Sequence, residues 1–99
     1  MKAPEDRLDI RLLGPVLACV GARRVDLGPR KQRLVFAILA LEPNRVVPVD
    51  RLVELAWPVA APRTAAHAVR VCVSGLRSVL AGRVDAQIDT RGAGYALRV

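Results

Sequence analysis

The strongest constraint on the fold is one stretch, Thr64 to Leu80, where Val69, Cys72, Val73, Leu76 and Leu80 recur at helical spacing. At about 100° per residue these five share one face, while Arg63, His67, Arg70, Ser74 and Arg77 fall within a stripe of about 80° on another. Thr64 is an acceptable N-cap, and Gly82 follows as a stop signal. A helix divided in this way buries one face against a core and offers the other to solvent or a partner. No Asp or Glu lies between Glu54 and Asp85, so the cationic stripe has no local counter-charge. A stripe of that kind is suited to a phosphate backbone.

With 99 residues the chain has room for one core. Residues 1–7 are expected to be a flexible lead and 8–99 a single domain. Leu8-Asp9-Ile10-Arg11-Leu12-Leu13 alternates with period two and meets Gly14-Pro15, which predicts a half-buried strand ended by a turn. Val16 to Val20 predicts a second strand closed by a hairpin tip at Gly21-Ala22, and Val25-Asp26-Leu27 a third, giving an antiparallel sheet over 8–28. From Pro29 the period changes. Leu34, Val35, Ile38, Leu39 and Leu41 predict the buried face of a helix over about 30–42, ended by Pro43-Asn44. Val46 to Val49 reads as an extended connector. Asp50 then suits the cap of a helix over 50–57 with the apolar face Leu52, Leu55 and Ala56, stopped by Trp57-Pro58. The Thr64 helix is expected to run to about residue 81. Two strand-like runs in 86–99 flank Arg91-Gly92-Ala93-Gly94, a hairpin with an arginine beside its tip.

Composition removes several classes of function. The longest apolar run, Leu34 to Leu41, is far short of the roughly 20 residues that cross a bilayer. The acidic start Glu5-Asp6 and the lack of an apolar run there exclude a signal peptide, so a cytoplasmic, nucleoid-associated location without membrane contact is expected. Cys19 and Cys72 lie far apart and read as buried free thiols; with one His they cannot build a metal site. Gly92-x-Gly94 joins two strands and lacks a third glycine, so it is no dinucleotide fingerprint. His67 and Ser74 sit about 10 Å apart along the helix, too far for a nucleophile and its base. No enzyme, catalytic residue or cofactor is expected. The net charge of +7 favours a polyanionic partner, and residues 60–99 are its more one-sided part, with six basic and two acidic side chains against ten and seven in residues 1–59.

Helix, connector, helix, loop, basic helix and hairpin is the order of a winged helix-turn-helix, an α+β fold. In that arrangement the last helix enters the major groove and the hairpin brings a side chain to the minor groove. The sequence thus assigns Arg70 and Arg77 to reading or clamping the major groove and Arg91 to the minor groove. Arg51 and Arg63 are placed on phosphates, aided by the helix N-termini near Asp50 and Thr64.

The residues also carry a resemblance. Arg63-Thr64, the run from Val71 to Leu80, and Thr90-Arg91-Gly92-Ala93-Gly94-Tyr95 look like the signature of OmpR-type winged-helix DNA-binding domains. Leu12-Leu13-Gly14-Pro15, Val25-Asp26-Leu27-Gly28, Pro29-Arg30-Lys31-Gln32-Arg33, Asn44-Arg45-Val46-Val47 and Val49-Asp50-Arg51-Leu52 resemble one branch, the Streptomyces antibiotic regulatory proteins (SARPs), activators of antibiotic biosynthesis. The match spans essentially 8–99.

The resemblance implies an N-terminal antiparallel β-sheet, three helices and a C-terminal β-hairpin wing. It places Arg63, Thr64, His67, Arg70, Ser74 and Arg77 on or beside the recognition helix, and Thr90 and Arg91 in the wing. Trp57 corresponds to the family's tryptophan near the DNA backbone, and Pro58, Val59, Ala60, Ala61 and Pro62 to the loop that contacts RNA polymerase. Relatives bind promoter direct repeats as side-by-side protomers and recruit polymerase, partly through its sigma subunit. Ser74-Gly75 departs from the family, which carries at least one basic residue there, and Pro58 stands where glycine is common. Members continue into an activation domain, so the chain reads as an excised domain or an unusually short protein. The competing reading is a winged-helix protein-interaction module with little specific DNA binding, favoured by Ser74 and Gly75.

Overall fold

The computed structural model describes residues 8–11, 17–20, 23–82 and 85–99, with side chains from Asp26 onward. Three short strands, β1 (Leu8–Arg11), β2 (Leu17–Val20) and β3 (Arg23–Val25), form an antiparallel sheet in that order. Leu8 faces Val20 across the first pair and Cys19 faces Arg24 across the second. Residues 1–7, the Gly14-Pro15 turn and the Gly21-Ala22 tip lie outside the described residues. The third strand ends two residues earlier than the alternation predicts. Leu27 leaves the strand to enter the core, where it is 1% exposed. Asp26 Oδ1 accepts the Gly28 N–H at 2.9 Å, and Gly28 has φ +97°, which turns the chain into the first helix.

The first helix, α1 (Arg30–Leu41), starts directly after Pro29, so Pro29 is the N-cap residue and not the first helical residue. Its buried residues are Val35, Phe36, Ile38 and Leu39, whereas Leu41 is 68% exposed and Leu34 only half-buried. The expected face was therefore rotated: Leu34 to Leu41 is almost continuously apolar, and periodicity alone does not choose its inner side. Phe36, the bulkiest fully buried side chain, decides the choice.

Val47–Pro48, expected as a mere connector, is a strand, β4. The second helix, α2 (Val49–Ala56), begins with Pro48 as N-cap. Asp50 thus stands inside the first turn, where its carboxylate complements the helix dipole without capping. Leu52 and Ala56 are buried, but Leu55 is 42% exposed and belongs outside the predicted apolar face. At the other end Lys31 donates to the Ala56 carbonyl, and its ammonium sits 4.7 Å from the centre of the Trp57 ring. A cation at a helix C-terminus and over an aromatic face is favourable on both counts.

The third helix, α3 (Ala65–Val79), follows an exposed loop and packs against both α1 and α2. Val69, Cys72, Val73, Leu76 and Leu80 are all buried as their spacing predicts, joined by Ala65. The chain closes with β5 (Gln87–Arg91) and β6 (Gly94–Arg98). β6 lies between β5 and β4, with Val47 opposite Tyr95 and Arg91 opposite Gly94. One core built from α1, α2, α3 and this second sheet includes Leu27, Phe36, Leu52, Val69, Leu76, Ile88 and Leu97.

Candidate nucleic-acid interface

The outer face of α3 is built by subtraction. Once Val69, Val73 and Leu76 turn inward, a helix of 3.6 residues per turn must turn His67, Arg70 and Ser74 outward, and all three are exposed, as are Arg63 and Thr64 just before it. Among the described residues no hydrogen bond or ion pair engages the side chains of Arg63, His67 or Arg70. Thr64 occupies the N-cap position, but its hydroxyl makes no cap bond. Ala65 N–H bonds to the Pro62 carbonyl and Ala68 N–H to that of Thr64, while the N–H groups of Ala66 and His67 have no backbone acceptor among the described residues. This end of α3 therefore presents both guanidinium groups and bare amides, the chemistry that binds an oxyanion.

Arg77, the last member of the stripe, is differently placed. Its Nε donates to the Ile88 carbonyl at 3.1 Å and its Nη2 to Thr90 Oγ1 at 2.7 Å. Its guanidinium carbon stands 5.8 Å from the centre of the Tyr95 ring. Arg77 is thus turned along α3 towards the hairpin, apart from Arg70.

Gly75, which the sequence could treat only as a departure, has a packing reason. A Cβ there would lie 2.1 Å from Gln32 Oε1, and one at Gly28 would lie 2.4 Å from Gln32 Nε2. Gln32 on α1 fills the space that both glycines leave, and its amide donates to the Leu27 carbonyl at 2.7 Å. Sequence reasoning missed this residue, because no local pattern links position 32 to position 75.

The wing is a hairpin with the two-residue turn Gly92-Ala93, and Gly92 has φ +55°, which a glycine adopts without cost. Alternation along the strands puts Ile88, Thr90, Tyr95 and Leu97 on one face and Gln87, Asp89, Arg91 and Arg98 on the other. Asp89 therefore lies among cations. Its carboxylate is 2.9 Å from Arg98 Nε and 3.6 Å from Arg91 Nη2. The hydrogen bond from Arg98, with the charges of Arg98 and Arg91, holds its carboxyl below the usual carboxylate range. Arg91 itself is exposed at the end of β5.

The turn of the wing also meets the start of α2, where Val49 N–H bonds to the Ala93 carbonyl at 2.9 Å. A Cβ on Gly94 would come within 2.5 Å of the Val47 carbonyl oxygen, so the hairpin approaches β4 as closely as a backbone can. These contacts bring Arg91 and Arg51 to one end of the molecule, each within two residues of the same hydrogen bond. Arg51 is exposed and 3.5 Å from Glu54 in a solvent-screened pair. Trp57 is half-buried beside Lys31, and Pro58, Val59, Ala60, Ala61 and Pro62 are all exposed, Val59 at 97%.

Known proteins share this arrangement. The family described as "Transcriptional regulatory protein, C terminal" matches residues 22–97. The transcriptional regulatory protein EmbR of Mycobacterium tuberculosis is 37% identical over 98 residues, which is 96% of this chain and 25% of EmbR. MoaR1 of the same species is 34% identical over 84 residues, covering 85% of this chain and 26% of MoaR1. The regulatory protein AfsR of Streptomyces coelicolor is 33% identical over 87 residues, 88% of this chain and 8% of AfsR. A solved structure of M. tuberculosis EmbR in complex with a low-affinity phosphopeptide superimposes with a TM-score of 0.82 and 36% identity, over 94% of this chain and 25% of that one. The chain thus spans about a quarter of EmbR and MoaR1. With its helices, its wing and its matched residues in place, the chain belongs to the OmpR-type C-terminal domain family of DNA-binding transcriptional regulators, in the SARP branch that includes EmbR and AfsR.

Proposed function

We propose that this domain binds double-stranded DNA sequence-specifically, with α3 in the major groove and the wing in the minor groove. The observation that carries this reading is the outer face of α3: exposed Arg63, His67 and Arg70 without protein partners, beside bare N–H groups, in a segment without one acid. Arg70, His67 and Ser74 face the base edges. Arg63, Thr64 and Arg51 hold phosphates, with Trp57 packed near the backbone. Thr90 and Arg91 serve the wing, with Arg91 entering the minor groove, where a narrow A·T-rich segment concentrates negative potential. The exposed loop Pro58–Pro62 is the surface for RNA polymerase, through its sigma subunit. Protomers set side by side on promoter direct repeats make the domain an activator, working in the cytoplasm on the nucleoid.

Gly75 packs against Gln32, so its lack of a side chain gives no support to a pure protein-interaction role. A random-pool selection of bound duplexes followed by a salt titration tests the reading. A recovered motif, with log K falling steeply against log salt, is the expected result. Retention of no duplex even at low salt is the result that refutes it.

A further inference from the structure

We propose that Arg77 is a positioning residue that sets the wing against α3, so that its contribution to DNA binding passes through Arg91 and not through a contact of its own. The inference rests on the DNA-binding reading above. A planar guanidinium presents donors in a fixed fork, and here two arms of the fork are spent on alternate residues of β5, the carbonyl of buried Ile88 and the hydroxyl of exposed Thr90. The same group stands 5.8 Å from the ring centre of Tyr95, the residue opposite Thr90 on β6. One side chain therefore fixes α3 to both strands of the hairpin, one residue before Arg91 and the turn.

Where α3 ends, a pocket of about 230 Å³ opens towards β5, with Arg77, Leu80, Gly82 and Ile88 among its lining residues. Leu76, Leu80, Ile88 and Leu97 are buried in the common core beneath this join, and Arg77 adds directional bonds to β5 at its exposed rim. Two of its five N–H donors are engaged, and they are the Nε and Nη2 pair that would grip a guanine edge side-on. Arg91 lies on the opposite face of β5 from Thr90, so a tilt of the strand displaces it without breaking any contact of its own.

The test is a double-mutant cycle on DNA affinity, using Arg77→Ala, Arg91→Ala and the double variant on the selected duplex, with folding checked by circular dichroism. Each single change is expected to weaken binding roughly tenfold, in the range of one lost arginine contact. If Arg77 acts through Arg91, the double variant loses about the same tenfold, since couplings of this kind are non-additive. Multiplied losses, on the order of a hundredfold, overturn the inference alone. An unchanged Arg91→Ala affinity overturns the inference together with the wing assignment. Footprinting gives an independent readout: Arg77→Ala should lose hydroxyl-radical protection in the minor groove but keep guanine N7 protection in the major groove, and the reverse pattern refutes the strut. Should Arg77→Ala fail to fold, Arg77→Lys keeps the charge but removes the fork that bonds Ile88 and Thr90 and is judged by the same cycle.

Discussion

At the scale of the residue, Asp89 holds the balance of charge in the wing. Its carboxylate neutralises Arg98 at 2.9 Å and draws on Arg91 at 3.6 Å, and it stands on the side of the hairpin that bears Arg91. If Arg91 enters the minor groove as proposed, the negative potential there competes with Asp89 for it and is itself opposed by the Asp89 charge. Asp89→Asn is therefore expected to raise affinity for duplex DNA several-fold at low salt, an effect that fades as salt screens it; a mobility-shift series at two ionic strengths checks this, and weaker binding would count against the competition. The same group predicts a pH effect. Its pKa is depressed in the folded state, so its stabilisation is present above the unfolded value of about 3.9 and is lost as pH falls through the lower folded value. The difference in melting temperature between wild type and Asp89→Asn should be constant near neutrality and vanish on acidification below that range. Because Asp89 and its partners are solvent-accessible, the difference should be small.

At the scale of the element, Phe36 and the Gly75–Gln32 contact show what holds α1 against α3. Phe36 is fully buried, and Phe36→Ala is expected to cost about 3–5 kcal/mol in denaturant unfolding, whereas Leu41→Ala, at an exposed site, should change stability by less than about 0.5 kcal/mol. Equal costs would mean that α1 is rotated as the bare apolar run suggests. Gly75 gives up about 1 kcal/mol of helix propensity relative to alanine to let Gln32 lie across α3. In the wild type, Gly75→Ala regains that propensity but displaces the Gln32 amide from the Leu27 carbonyl, so the two effects nearly cancel. With Gln32→Ala already present, the same substitution should stabilise by about 1 kcal/mol. Additive behaviour across the pair would show that the two residues do not touch.

At the scale of the molecule, the three helices and the second sheet share one core and should unfold as one unit. Cys72 lies within it, 8% exposed, and burial pushes its thiol pKa up despite the opposing charge of Lys31. In a Cys19→Ser background, labelling of Cys72 by a thiol reagent should therefore follow the loss of helical circular dichroism with denaturant. Fast labelling in native buffer would instead reveal local opening of α3. What the sequence determined by itself was a set of features that depend on near neighbours along the chain. The buried face of α3, its exposed cationic stripe, the β1–β2 pairing and the Gly92-Ala93 turn are of this kind, because helical and strand periods sort side chains locally. The tertiary structure decided the rest: the rotation of α1 about Phe36, the pairing of Val47 with Tyr95, the seat of Gln32 against Gly75, and the turning of Arg77 towards Thr90. Each joins residues distant in sequence, and no period records which partner a side chain meets once the chain has closed on itself. The stripe on α3 was legible as positive charge; that Arg77 is bonded to β5 while Arg63 and Arg70 have no side-chain partner among the described residues follows only from the position of the wing.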